Sequence, residues 1–342
     1  MKKKILSLML CIVMVIGIAP VFAFADGTTS DWTYKVLNEE DKTAEITGYI
    51  GTDTELVFPE IIDGYTMVSI ADEAFCGKSY VDYPITRVDI PETYKRIGES
   101  NFRYYRNLMV VNLPHGLEYI GADSFWRSGL YYENQYQCEL KKELPVLYIG
   151  EYCITADQHL SGSNWIIYSI KPGTKLIASG AFNWNSVLKG IIIPEGVEYI
   201  NDYAFFECTH MTSYVIPSTV KEIGPGALQS SKYGMYIKIP SSVTNIADDA
   251  LGDYGSRSLV YGSTGSAAEN FANISGAEFI ELNDVVYGDV DGDGVVTVSD
   301  YASAESYSVG SIELNGNAQV VGDMNGDCII DAFDAAAIDR II

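Results

Sequence analysis

Apolar positions recur along this chain with a long period. Ile70, Ile97, Ile120, Ile149, Ile177, Ile200, Ile223 and Ile246 are each followed five residues later by Phe75, Phe102, Phe125, Ile154, Phe182, Phe205, Leu228 and Leu251. The isoleucines are spaced 27, 23, 29, 28, 23, 23 and 23 residues apart, a period of 23 with insertions. Pro91, Pro114, Pro194, Pro217 and Pro240 each stand six residues ahead of one of them. Before each proline the residues alternate with period two, as in Val88-Asp-Ile90, Val111-Asn-Leu113, Ile191-Ile-Ile193 and Ile237-Lys-Ile239. Alternation predicts a short strand, and proline, lacking an N–H, ends it.

The predicted unit is therefore a strand, a proline turn, a second extended piece such as Val197-Glu-Tyr-Ile200, and a compact turn carrying Ala204-Phe205. A coil of 23 residues cannot bury its own Ile and Phe, but stacked coils bury them against each other. The expectation is an α/β repeat solenoid, rich in parallel β-strands, with one continuous apolar column through eight coils. Gly129 to Pro172 interrupts the pattern with an insertion rich in Tyr and Lys.

The last sixty residues follow another rule. From Asp289 the chain places oxygen ligands at loop positions one, three, five, nine and twelve: Asp289, Asp291, Asp293, Thr297 and Asp300, with Gly294 at the turn and the Val295 carbonyl at position seven. A hard cation such as Ca²⁺ takes six to eight oxygens, and this spacing wraps them round one point. The pattern returns as Asp323, Asn325, Asp327, Asp331 and Asp334, with the Ile329 carbonyl at position seven and Cys328 where the turn normally has Gly. Two Ca²⁺ ions are expected, the second more weakly held. Val296 and Ile330 occupy position eight of each loop, and a helix-compatible run follows both.

Composition sharpens this picture. The formal net charge is −24, which excludes nucleic acid and anionic membranes as partners, since both demand a basic face. Residues 283–342 hold twelve acids against one base, Arg340, so the tail should need calcium to fold. At the other end Lys2, Lys3 and Lys4 precede an apolar run from Ile5 to Ile18 and then Ala23-Phe24-Ala25, the layout of an export signal ending near Ala25. Beyond that signal, which contains Cys11, the remaining cysteines Cys76, Cys138, Cys153, Cys208 and Cys328 are odd in number and scattered, so they are read as small buried thiols rather than a disulfide framework. His115, His159 and His210 have no partners at metal-site spacing, and no nucleophile elbow occurs. Nothing points to catalysis.

Two resemblances add to this reading. The unit Ile193-Pro-Glu-Gly-Val-Glu-Tyr-Ile200 with Ala204-Phe205, and Ile216-Pro-Ser-Thr-Val-Lys-Glu-Ile-Gly224 with Ala227-Leu228, resemble the BspA-like branch of the leucine-rich repeats. An N-terminal cap over Ala44–Gly51 and Ile62–Tyr65 and a C-terminal cap over Tyr261–Ala272 fit the same family. The two carboxylate loops, each without a preceding helix and each ending in Asp, resemble a type I dockerin, a small α-helical calcium-binding domain that plugs into cohesin domains of a scaffold protein. That resemblance implies recognition positions at Val298, Ser299, Glu305 and Ser306 in the first repeat and Ala332, Phe333, Asp339 and Arg340 in the second. The two sets differ, which implies one preferred docking orientation.

The expected organisation is a signal peptide over 1–25, an N-terminal cap over 26–64, the solenoid with its C-terminal cap over 65–282, and the dockerin over 283–342. The expected function is that of a secreted, non-catalytic adaptor whose solenoid binds a protein or surface ligand while the dockerin tethers it to a cellulosome-like scaffold. The rival is a carbohydrate-binding subunit of a plant polysaccharide-degrading complex; an enzyme of unknown type is the third reading. Ligand candidates are the outward strand positions Asp89, Asn112, Ile192, Val215 and Lys238, with Ile192 and Val215 as the start of an apolar patch. The aromatics Tyr104, Tyr105, Trp126, Trp184 and Phe206 form a second group, expected to be largely coil packing.

Overall fold

Proline sets the corner of each coil. In the computed structural model the strands Arg87–Asp89 and Tyr236–Lys238 stop just short of Pro91 and Pro240, and the chain turns into two-residue strands at Arg96–Ile97 and Asn245–Ile246. The structure describes residues 23–24, 31–76, 84–131, 144, 146–156, 166–211, 213–230, 234–282, 287–291, 295–311, 318, 321–323, 330 and 332–342. Residues 1–25, expected to be an export signal, lie outside them apart from the short strand Ala23–Phe24.

The short strands stack in parallel. Ile70 pairs with Ile97 and Ile97 with Ile120; further on, Ile177, Ile200, Ile223 and Ile246 pair in the same way. The strands ahead of the prolines form their own parallel stack, for example Glu55–Val57, Arg87–Asp89 and Val110–Asn112. Phenylalanines fill the space between the two stacks. Phe75, Phe102 and Phe125 stack with centroids 5.4 and 5.3 Å apart, and Phe182 and Phe205 with centroids 5.4 Å apart. Each ring sits about one rung, ~4.8 Å, above the last, which is the spacing of neighbouring strands.

Both ends are closed. The antiparallel hairpin Trp32–Asn38 and Thr43–Tyr49 lays its second strand parallel to Tyr65–Ile70. Helix α1, Ala267–Ser275, buries Ala268, Phe271 and Ala272 against the last coils and stops at Gly276, whose φ of 76° an L residue adopts only at a cost.

The stack is not the single column that the period predicts. Cys153, not Ile149, pairs with Ile177. Ile149 belongs to the strand Val146–Ile149, which runs antiparallel to Tyr152–Ala156. Side chains of this hairpin and of residues 176–178 alternate between two cores: Leu147, Ile149, Tyr152, Ile154, Leu176 and Ala178 face the first, while Val146, Cys153, Ala156 and Ile177 face the second. All five residues of Tyr152–Ala156 are buried, as in a sheet covered on both faces. The first group of coils thus packs on the outer face of the second, and Ile149 and Ile154 serve that contact rather than the ladder.

Side chains tie the seam, Asn201 with two bonds to the backbone. The Asn201 amide accepts from Ile120 N at 3.0 Å and donates to Glu118 O at 3.0 Å, imitating a strand along the edge at Tyr119–Ile120. Ser179 N donates to Ile120 O at 2.9 Å, and the Tyr119 hydroxyl donates to Asp202 at 3.2 Å.

Other expectations need correction. Cys153 and Cys208 are buried thiols that burial pushes up to about 12, whereas Cys76 is exposed on the wall of a cleft with Tyr49 and Tyr105. Cys138 and Cys328 lie outside the described residues. Tyr105 is buried and its hydroxyl donates to Phe75 O, so it belongs to the core and not to the surface group. Ile192 and Val215 are half-exposed at the ends of the neighbouring strands Leu188–Ile192 and Ser213–Val215. His115 and His210 are exposed, as expected; His159 lies outside the described residues.

Candidate calcium site

Thr297 starts the helix that closes the first loop. It has extended backbone, its hydroxyl accepts from Ser299 N at 3.2 Å, and Asp300 three residues on accepts from Thr297 N at 2.7 Å. This reciprocal cap satisfies N–H groups that the first turn of helix α2, Val298–Ser308, would leave open. Helix α3, Ala332–Asp339, follows the second loop and packs on α2. Val290, Ala304, Ala318, Ile330, Ala335 and Ile338 form the small core between them, with Val296 against its edge. Both position-eight residues therefore pin a loop to the same core. Gly322 permits it: a Cβ there would come within 2.8 Å of Ile330 Cδ1.

The loop brings three carboxylates together. Oxygens of Asp289, Asp291 and Asp300 lie within 4.8 Å of one another. Asp300 is fully buried, and besides capping α2 it accepts from Asp291 N at 3.0 Å. Asp291 is exposed and Asp289 nearly buried; the Ser299 hydroxyl donates to Asp291. Three like charges this close repel, and a hard divalent cation held by their oxygens offsets that repulsion. The donor set is all oxygen, which fits Ca²⁺.

The second loop repeats the burial pattern at its ends. Asp323 and Asp334, at positions one and twelve, are buried like Asp289 and Asp300. Asp293, Asn325, Asp327, Ile329 and Asp331 lie outside the described residues. Val295 is exposed at the rim of the first loop.

Sequence-predicted recognition residues fall on outer surfaces of the two helices. Val298 is 68% exposed, Ser299 and Glu305 are exposed, and Ser306 is half-buried. Ala332, Asp339 and Arg340 are exposed; Phe333 is placed in α3 by its backbone.

Fold and site together define a repeat solenoid joined to a calcium-binding assembly module. The chain belongs to the BspA-type leucine-rich repeat family, six copies of whose repeat match residues 57–160 and 149–274. Residues 287–342 are a type I dockerin domain. Such repeats and dockerins are non-catalytic binding and assembly modules; a type I dockerin binds calcium and docks on cohesin.

Similar solved structures include a leucine-rich repeat protein of T. pallidum, 18% identical over 74% of this chain and 97% of that one, TM-score 0.32. A leucine-rich cell surface protein from Faecalibacterium prausnitzii A2-165 is 17% identical over 77% and 96%, TM-score 0.32. A leucine-rich repeat protein from Bacteroides ovatus ATCC 8483 is 21% identical over 77% and 74%, TM-score 0.29. No curated protein matches the chain. Among the described residues no helix is long and apolar enough to cross a membrane.

Proposed function

We propose that this protein is an exported adaptor: the dockerin over 283–342 holds two Ca²⁺ ions and anchors the chain to a scaffold cohesin, and the solenoid over 65–282, capped by 26–64, presents a ligand-binding surface. The observation that carries the reading is the convergence of Asp289, Asp291 and Asp300 beneath a helix whose outer face offers Val298, Ser299 and Glu305. In this reading Asp289, Asp291, Asp293, Val295, Thr297 and Asp300 hold one ion, and Asp323, Asn325, Asp327, Ile329, Asp331 and Asp334 the other. The bound ions supply the positive charge that lets the loops close; the chain's own part is to fix both helices at the angle a cohesin reads. The differing pairs Val298-Ser299 and Ala332-Phe333 give one docking orientation.

The test is a pull-down of the full chain on an immobilised type I cohesin panel, with calcium and with EDTA. Capture should require calcium and should vanish in the double variant Asp293→Ala, Asp327→Ala, whose solenoid keeps its far-ultraviolet circular dichroism. Capture that survives chelation or the double substitution refutes the proposal.

A further inference from the structure

The first turn of α2 holds one residue of the calcium loop in two places. Asp291, at loop position three, gives its backbone N–H to Asp300 at 3.0 Å, and its carboxylate accepts from the Ser299 hydroxyl. Asp300 is the last ligand of the loop and takes the Thr297 N–H on its other oxygen at 2.7 Å. The helix itself has no use for the Ser299 hydroxyl. Its cap is closed by the backbone N–H of Ser299, which donates to Thr297 Oγ1 at 3.2 Å, and that bond would form with any side chain at this position. Serine is also a poorer helix former than alanine, so the hydroxyl is not there for the stability of α2.

Asp291 is the ligand that needs such help. Asp289 and Asp300 are buried, so packing limits their side chains, whereas Asp291 is exposed. An exposed carboxylate loses rotamer freedom when it closes on a cation, and that loss opposes binding. A donor already seated on it removes part of the cost, and a carboxylate with about four lone-pair sites still has oxygen left for the ion. Hydrogen bonds of this outer kind orient metal ligands in general. The second loop is built differently. Its position eleven is Phe333, which has no proton to give, and its position three is Asn325.

We propose that Ser299 is a positioning residue for the first calcium ion: its hydroxyl holds the Asp291 carboxylate beside those of Asp289 and Asp300, and the first loop binds calcium more tightly for it. The support is confined to the first loop, because Phe333 cannot supply it in the second. Ser299 is exposed on the surface of α2, so the group that orients a calcium ligand also stands where the module meets its surroundings. The inference rests on the calcium reading of the loop and is independent of which cohesin docks there.

The test is calorimetric titration of the decalcified full chain with calcium alone. In Ser299→Ala one of the two affinities should fall about tenfold while the other holds, and the same fall should appear in an Asp327→Ala background, where the second loop is silenced. Ser299→Thr keeps a hydroxyl and should keep the wild-type affinity. Ser303→Ala makes the same change one turn further along α2 and should alter neither affinity. Alanine favours a helix over serine, so a purely structural role for Ser299 predicts equal or tighter binding in Ser299→Ala. Calcium affinities unchanged by Ser299→Ala, a loss in Ser299→Thr as deep as in Ser299→Ala, or an equal loss in Ser303→Ala overturns the proposal and leaves the calcium reading standing. A wild-type chain that takes up no calcium overturns both.

Discussion

Asn201→Ala isolates the seam between the two groups of coils. The wild-type amide satisfies Ile120 N and Glu118 O, and Ile120 is fully buried. Truncation leaves a buried N–H without its acceptor and a carbonyl without its donor. The orphaned Ile120 N–H costs about 1–3 kcal/mol, while Glu118 is exposed and water can replace the donor lost to its carbonyl. The loss should fall on the seam alone, because Asn201 N still donates to Ile177 O within the ladder. The two cores are then coupled chiefly through the hairpin around Tyr152–Ala156. In a repeat stack such a weakened interface separates the units it joins. Urea unfolding reads this with two probes. In a Trp165→Phe, Trp184→Phe background tryptophan fluorescence reports on the first core, where Trp32 is buried and Trp126 packs, and circular dichroism reports on all strands. The wild type should give coincident transitions and Asn201→Ala two separated ones. Asn201→Asp keeps an acceptor for Ile120 N but turns a second oxygen toward Glu118 O, so it should be destabilised at neutral pH and regain stability as the new carboxyl is protonated. A single transition with a midpoint shift worth less than about 0.5 kcal/mol in Asn201→Ala would refute the seam assignment.

Phe205→Ala should cost about 3–5 kcal/mol, since its ring stacks on Phe182 and touches Tyr214 in a fully buried position; a loss under about 1 kcal/mol by urea denaturation would mean that the aromatic column does not hold the second core. Stability should also depend on pH in a set direction. Burial holds the Glu99, Asp123 and Asp202 carboxyls above their ordinary values, so the folded state binds protons more tightly than the unfolded one; their contribution grows as pH falls through the raised values and is complete below the ordinary ones. Hydrogen bonds from Arg87 to Asp89 and from Lys221 to Glu198 hold those two carboxyls low, a contribution present above the ordinary values and lost below them. The fluorescence-detected urea midpoint should therefore rise as the solution is acidified from neutrality through the raised values and fall in stronger acid, and a monotonic fall from neutral pH would contradict the burial of the three acids.

Much of the molecule was legible in its sequence because the interactions involved are local or strictly periodic. A 23-residue repeat of Ile and Phe dictates stacked coils, proline dictates where each strand ends, and the spacing from Asp289 to Asp300 dictates a loop that gathers oxygens. Such patterns act within one coil or one loop, and no distant contact is needed to fix them. What spacing could not show is which face a strand turns to a second layer. Tyr152-Cys-Ile-Thr-Ala156 is apolar without alternation, the mark of a strand buried on both sides, yet only packing decides that Cys153 joins the ladder while Ile154 meets the other core. Tyr104 and Tyr105 are neighbours of one type, and the turn geometry sends one outward and the other inward. Tyr203 packs against Gly226, twenty-three residues away and one rung along the stack. Asn201 reads as an ordinary departure from glycine until the edge at Ile120 is brought against it. Local chemistry wrote the elements, and contacts between residues far apart in the chain decided how two stacks meet and which rings face solvent.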